Sequence, residues 1–260
     1  MANLIKMDLY RLVRSKLFWI LNGVVFVFSA VFTYLGFVFN EMLKSMTEYT
    51  PYPTEIKFSE LLSSPIDQIL LILVMISAVS FMYADIANGY IKNIAGQLTN
   101  KGNTVISKFI VAGIHNFTFM FLGLLGQTVS ECFIRKIVFD SMVPYGIAAF
   151  AIKWLLLMSI SSIVLFFSTG LKNKTVASVV GVLLSSGLLG LVYLGLNAGI
   201  ANVFKTDNFD INSYMPDQLF GQTVAATLNV TAFNAIIVSL VVSGVFLFFT
   251  VKIFNNSDVK

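Results

Sequence analysis

His115 is the only histidine of the chain and Cys132 the only cysteine. One of each excludes an internal disulfide, a cysteine-based zinc or iron–sulfur cluster, and the two-histidine HExxH zinc site. A serine–histidine dyad is the nucleophilic arrangement left, with Ser185 or Ser186 as partner, but no Gly-x-Ser-Gly stretch presents a nucleophile. No Gly-x-x-x-x-Gly-Lys-[Ser/Thr] loop is present to cradle a nucleotide. "GLKNKT", residues 170–175, lacks that spacing and reads as a tight turn. What remains around His115 is a pattern. Asn116, Gly123, Gln127 and Ser130 recur at helical spacing as a small, polar stripe, with His115 beside it. In an apolar helix such a stripe packs against another helix or lines a conduit. For His115 itself, a hydrogen-bonded structural role stands beside proton relay or substrate contact.

The elements that must hold this stripe follow from composition. The 260 residues are 57% hydrophobic and 12% charged, with 25 phenylalanines, and the mean hydropathy is +0.84. A soluble domain carries about 25% charged residues, so this surface is built to face lipid. Charge-free intervals fall at 17–40, 68–84, 109–130, 154–171, 175–204 and 218–251. A helix needs about 20 apolar residues to cross the hydrocarbon core. If the shorter intervals extend past a terminal charge, the predicted spans are 17–39, 65–84, 104–130, 147–169, 175–196 and 230–252. Ser64 fits the N-cap of the second span, Pro65 its first position and Asp67 its first turn. Span five carries Gly181, Ser185, Gly187, Gly190, Gly195 and Gly199, a set that permits close helix packing.

Six spans put both termini on one side. With the N-terminus inside, eleven of the 17 Lys and Arg residues are cytoplasmic, accompanied by Asp8, Asp85 and Asp258, so that side sums to +8 and the other to −4. This asymmetry agrees with the positive-inside rule. "MANLIKMDLYRLVRSK", residues 1–16, repeats apolar residues at Leu4, Ile5, Leu9, Leu12 and Val13, with Lys6, Arg11, Arg14 and Lys16 mostly elsewhere on the wheel. It reads as a basic amphipathic helix lying at the inner interface. Lys153, near the start of span four, is expected to snorkel to the outer interface. The outer connection 197–228 keeps apolar edges that read as partly re-entrant helices, one of them opened by Pro216 and Asp217.

Between spans two and three lies "DIANGYIKNIAGQLTNKGNTVISK", residues 85–108. Ile91, Ile94, Ala95 and Leu98 fall at i, i+3, i+4 and i+7, one apolar stripe on a short helix. A two-turn helix does not persist alone in water, so its stripe must pack on something. The order of Asp85, Gly89, Ile91, Lys92, Asn93 and Ile94, then a turn, then Ile106, Ser107 and Lys108, resembles permeases of the ABC-2 type. "LIKMDLYRLVRSKLFWI", residues 4–20, is similar to the start of that family, and the resemblance in topology covers the whole chain. Glu is frequent in that family where Asp85 stands, and Pro in the turn that here reads "GQLTNKGN".

The resemblance implies an all-α integral membrane fold of ABC-2 (type V exporter-like) architecture. Residues 1–260 would form one transmembrane domain of six helices behind the interfacial helix. Residues 88–98 would be a coupling helix that docks on a separate ATPase through Gly89, Ile91, Lys92, Ile94 and Leu98. This chain would bind no cofactor, ATP and Mg being held by the ATPase subunit. A second permease, identical or related, would complete the transporter in a bacterial plasma membrane. His115, Asn116, Gln127 and Ser130 become candidates for the translocation path or the permease interface. Relatives export lantibiotics, toxin peptides, drugs or sodium. Sparsely charged spans suit an amphipathic, membrane-active peptide better than a bare ion. A secondary transporter is the alternative outside the family, and would show an internal repeat and broken spans.

Overall fold

Uninterrupted apolar sequence becomes long helix here. In a computed structural model the described residues are 1–43, 53–66, 68–89, 101–204 and 210–256, with 201–204 described by backbone alone. Helix α1 is Ala2–Arg14 and α2 is Lys16–Leu43. A short α3, Phe58–Ser63, precedes α4, Leu71–Ala87. Then come α5, Gly102–Ile134, and α6, Val143–Leu165, which widens into a π turn at Phe166–Gly170. Helices α7, Lys174–Ser186, and α8, Leu189–Phe204, follow. The chain closes with α9, Pro216–Gln222, and α10, Leu228–Asn256. Among the described residues five helical runs are long and apolar enough to cross a membrane, and α7 with α8 make a sixth if that bent pair is one span. The protein is an all-helical membrane protein in its spanning part.

Helices α5 and α6 sit in the middle. In each, 56% of the most apolar stretch is buried, against 17% for α2 and 11% for α10. Helix α2 leaves Val27, Val31 and Leu35 exposed, and α10 leaves Leu240, Val241 and Phe249, surface that lipid or another apolar protein face covers. Glycine lets neighbours close on α5. A Cβ on Gly126 would lie 2.3 Å from the Phe26 carbonyl oxygen of α2, and one on Gly123 would lie 2.6 Å from the Pro65 carbonyl oxygen. Further along, the Trp154 indole N–H of α6 donates to the Gly113 carbonyl at 2.8 Å.

Both ends of the chain meet at one end of the bundle. The Asn255 side chain accepts a hydrogen bond from the Gly102 amide at 2.7 Å, and Ser107 bonds Asp8 of α1. That arrangement fits an even number of crossings, which the described residues give if the bent pair counts as one span. The pair turns by 75° at Gly187, whose φ of +72° lies in the left-handed region. Residues 175–196 were expected as one straight span. The turn divides them, because Gln68 packs where a Gly187 Cβ would stand, at 2.6 Å.

Outside the spans a two-stranded parallel sheet interrupts the all-α pattern. Strand β1, Glu55–Lys57, pairs with β2, Lys136–Val138, in the register Glu55↔Lys136. It ties the segment before α3 to the end of α5. Ser64 and Pro65 do not open α4 as expected; the helix begins after a 3-10 turn at Gln68–Leu70. Pro216 does open α9, which packs on α6.

Candidate functional site

The densest chemistry lies where the chain ends meet. Helix α1 buries Leu4, Asp8 and Leu12, one face at i, i+4 and i+8, against α5. Asp8 therefore sits on the apolar side of an amphipathic helix, only 1% exposed. Its Oδ2 accepts from the Ser107 hydroxyl at 2.5 Å. Burial pushes the Asp8 carboxyl above its usual range, against the pull of the Lys108 ammonium and the Ser107 hydrogen bond. One turn on, the Arg11 guanidinium donates to Asp85 Oδ1 at 2.8 Å, and lies 3.9 Å from Asp8 Oδ1.

Asp85, near the end of α4, is the centre of this cluster. Its second oxygen, Oδ2, meets the Lys108 ammonium at 2.8 Å as an ion pair without hydrogen-bond alignment. Lys108 is 1% exposed, and its ammonium also lies 5.2 Å from the centre of the Phe81 ring. Two cations and two carboxylates thus join α1, α4 and α5. A buried ion that loses its partner costs several kcal/mol, so each helix holds the others in place. The segment 85–108 leaves and re-enters the bundle through this clasp. Gly89 follows α4 with φ of +65°, a turn that glycine takes without strain. Ile91, Lys92, Ile94 and Leu98, the remaining residues expected to dock an ATPase, lie outside the described residues, as does all of 90–100.

Deeper in the bundle, the stripe on α5 meets its own chain. His115 and Asn116 are fully buried. His115 Nε2 shares a hydrogen bond with the Ser77 hydroxyl of α4 at 2.8 Å, and Nδ1 lies 3.5 Å from Asn116 Oδ1. The Asn116 amide donates to Ser161 of α6 at 2.8 Å. A polar chain therefore crosses α4, α5 and α6, with the histidine ring tilted against Phe119, ring centres 4.6 Å apart. The histidine's serine is Ser77, not Ser185 or Ser186; Ser185 donates to the Gly181 carbonyl within its own helix. Ser77 also lines a cavity of about 210 Å³ shared with Ser80, Phe18, Phe81, Arg11 and Asp85. Gln127 and Ser130 are buried further along α5, and Gln127 faces a separate cavity at the far end.

Lys153 does not snorkel. It is 4% exposed, with its ammonium 4.8 Å from the centre of the Phe220 ring. Helix α9 folds over it, so the cation finds an aromatic face instead of water. Reasoning from sequence missed Arg11 as the partner of Asp85 and Asp8 as the partner of Ser107. The available signal was the Leu4–Asp8–Leu12 spacing, which sets a carboxylate inside an apolar stripe.

A multispan helical membrane protein with a buried ionic clasp at its chain ends is the class that fold and site define. No protein-family model matches the chain, and no curated protein matches it.

Proposed function

We propose that the chain is the membrane-spanning permease subunit of an ATP-driven exporter of the ABC-2 type, moving an amphipathic, membrane-active substrate such as a bacteriocin, lantibiotic or toxin peptide. One observation carries the reading. Residues from both stretches that resemble the family, 4–20 and 85–108, are in contact with one another. Asp8 and Arg11 from the first meet Asp85, Ser107 and Lys108 from the second in a single buried cluster. A clasp of this kind couples movement of the segment between α4 and α5 to three helices at once. Docking of an ATPase at Gly89–Leu98 would therefore be felt by the bundle. The basic residues of that end, with the positive-inside rule, favour a cytoplasmic position for it and for both termini. A cysteine at Ser141, in a Cys132→Ser background, should react with an impermeant maleimide in intact cells, and one at Asn88 should not.

The deciding experiment is copurification. An ATP-binding-cassette ATPase should copurify with the wild-type chain, and Ile91→Asp with Ile94→Asp should release it. Lys92→Gln should leave most of it bound, because buried anchors carry more binding energy than rim charges. A full complement of ATPase on the double aspartate variant would remove the segment as the docking element.

A second reading draws support from the 75° turn between α7 and α8. Broken spans are the form in which secondary transporters build substrate and ion sites. Transport that survives ATP depletion and collapses with the ion gradient would favour that reading.

A further inference from the structure

Within the clasp the two carboxylates are held unequally. Asp85 takes the Arg11 guanidinium on one oxygen and the Lys108 ammonium on the other, each at 2.8 Å. Asp8 is left with one hydrogen bond, from the Ser107 hydroxyl to Oδ2 at 2.5 Å. Its Oδ1 is buried with no hydrogen-bond partner among the described residues, and the Arg11 guanidinium stands 3.9 Å away. The carboxyl lies between Leu4 and Leu12 on the face that α1 presses against α5. An unpaired oxygen costs more as part of a carboxylate than as part of a neutral acid. The neutral acid keeps the Ser107 bond, because a hydroxyl both donates and accepts. Arg11 from α1 itself, Asp85 from α4 and Lys108 from α5 act on Asp8 by their charge; α2 brings Lys16, whose side chain is exposed. The two cations favour the carboxylate, Asp85 and burial oppose it, and burial is the largest effect. While α1 is docked, the carboxyl therefore ionises above its usual range.

We propose that α1 is a proton-operated latch: Asp8 holds a proton while α1 lies against α5, and loss of that proton releases the helix. An ionised Asp8 regains water only if α1 lifts or rolls from α5, and that movement draws Arg11 off Asp85. The Arg11 side chain is 28% exposed, so it exchanges its partner for water at little cost. Lys108, 1% exposed, stays on Asp85. Segment 85–108 then keeps its tie between α4 and α5 and loses its tie to α1. The opposite face of α1 suits a helix that moves at an interface. Lys6, Tyr10 and Arg14 are exposed there, with the Arg14 guanidinium 5.1 Å from the centre of the Tyr10 ring. Basic and aromatic groups of this kind hold a helix at lipid headgroups in either position. The proton linkage sets the direction. A released Asp8 ionises at its ordinary value, about 3.9. Above it, the ratio of released to docked helix rises by up to about tenfold per pH unit, and levels off once the pH passes the docked value. The latch stands on the geometry of the clasp; as a control on ATPase docking it rests on the exporter reading.

The test is a distance measurement by pulsed electron spin resonance on the full chain in nanodiscs. Nitroxide labels go on Lys6→Cys of α1 and Val245→Cys of α10, both exposed positions, in a Cys132→Ser background. The pH runs from about 4 to about 8, upward from the ordinary aspartate value. The chain with Asp8 intact should give one narrow distance at the acid end and a second population that grows as the pH rises. Asp8→Asn keeps a partner for Ser107 and cannot ionise, so it should hold the narrow distance throughout. Ser107→Ala removes a hydrogen bond that favours the carboxylate, and should carry the rise to higher pH. A distribution that does not change with pH overturns the proposal. So does an equal pH response in Asp8→Asn, which assigns the change to another group such as His115. A second population that grows as the pH falls also overturns it, because that is the sign for protonation of Asp85. No ATPase takes part in the measurement. A pH-invariant helix would leave the exporter reading standing, and failed ATPase copurification would leave the latch standing.

Discussion

The two ends of the bundle place their ion pairs differently. At the end that carries the termini, Asp8, Asp85 and Lys108 are removed from solvent and pair across three helices. At the far end buried charges stay local, Glu131 pairing with Arg135 one turn along α5 and Lys153 lying over the Phe220 ring, and the pairs between elements lie at the rim. Lys136 and Glu55 are 3.9 Å apart and mostly exposed, and Asp140 accepts from the Ser59 hydroxyl at the surface. There, backbone contact and a short sheet hold the elements. The difference teaches where stability and where adaptability reside. A buried pair is costly to form and more costly to break, so it fixes geometry. An exposed pair contributes little.

The largest effect should come from Asp85→Ala. It leaves the Lys108 ammonium buried without a carboxylate, and should cost about 3–5 kcal/mol, read as a large fall in the thermal midpoint of the purified protein. A cost no greater than that at Glu55 would erase the contrast between the ends. Gly126→Ala is next. The added methyl meets the Phe26 carbonyl oxygen at 2.3 Å, and overpacking of this kind costs about 1–3 kcal/mol. Gly23→Ala on α2 meets open space and should instead stabilise by about 0.5–1 kcal/mol, the helix preference of alanine over glycine. Opposite signs from one substitution type would locate the α2–α5 seam.

Asp8→Asn should do less. The folded state raises the Asp8 carboxyl, so the stability it contributes is fully present below its unfolded value and is lost as pH rises through the folded one. Asparagine keeps an acceptor for Ser107 and removes that slope. Stability at neutral pH should then match or exceed wild type, and the acid side of the stability profile should flatten. The smallest effect should be that of Lys136→Gln, about 0–1 kcal/mol, within the scatter of the same thermal measurement. A loss near that of Asp85→Ala would assign the far-end sheet an electrostatic role.

The spans were legible because gaps between charges are a one-dimensional signal that a bilayer translates directly into helix. The stripe on α5 was legible for the same reason, since helical spacing alone sets Asn116, Gln127 and Ser130 on one face. Their partners were not. Ser77 and His115 stand 38 residues apart, and no local period links them. The wheel of α1 sets Asp8 between Leu4 and Leu12 on the apolar face, but only packing on α5 shows that Ser107 and Lys108 meet it there. Strands β1 and β2 have three residues each and depend on pairing across the length of two spans. Gly187 was read as a packing residue, and only its left-handed φ beside Gln68 shows it to be a corner.

The corner also orders the birth of the protein. At 1.5 Å per residue, α7 is about 20 Å long and α8 about 24 Å, each short of a hydrocarbon core of about 30 Å. During synthesis α7 emerges before anything that follows it exists, and by itself it is a poor candidate to partition from the translocation channel into lipid. What can retain it is the unit already made. Gly181 seats α7 against Met75 of α4 and Val164 of α6, and Gln68 waits at the corner. The helices that precede α7 in the chain thus already carry the surfaces it packs on, so its retention in the bilayer falls to those contacts more than to its own length.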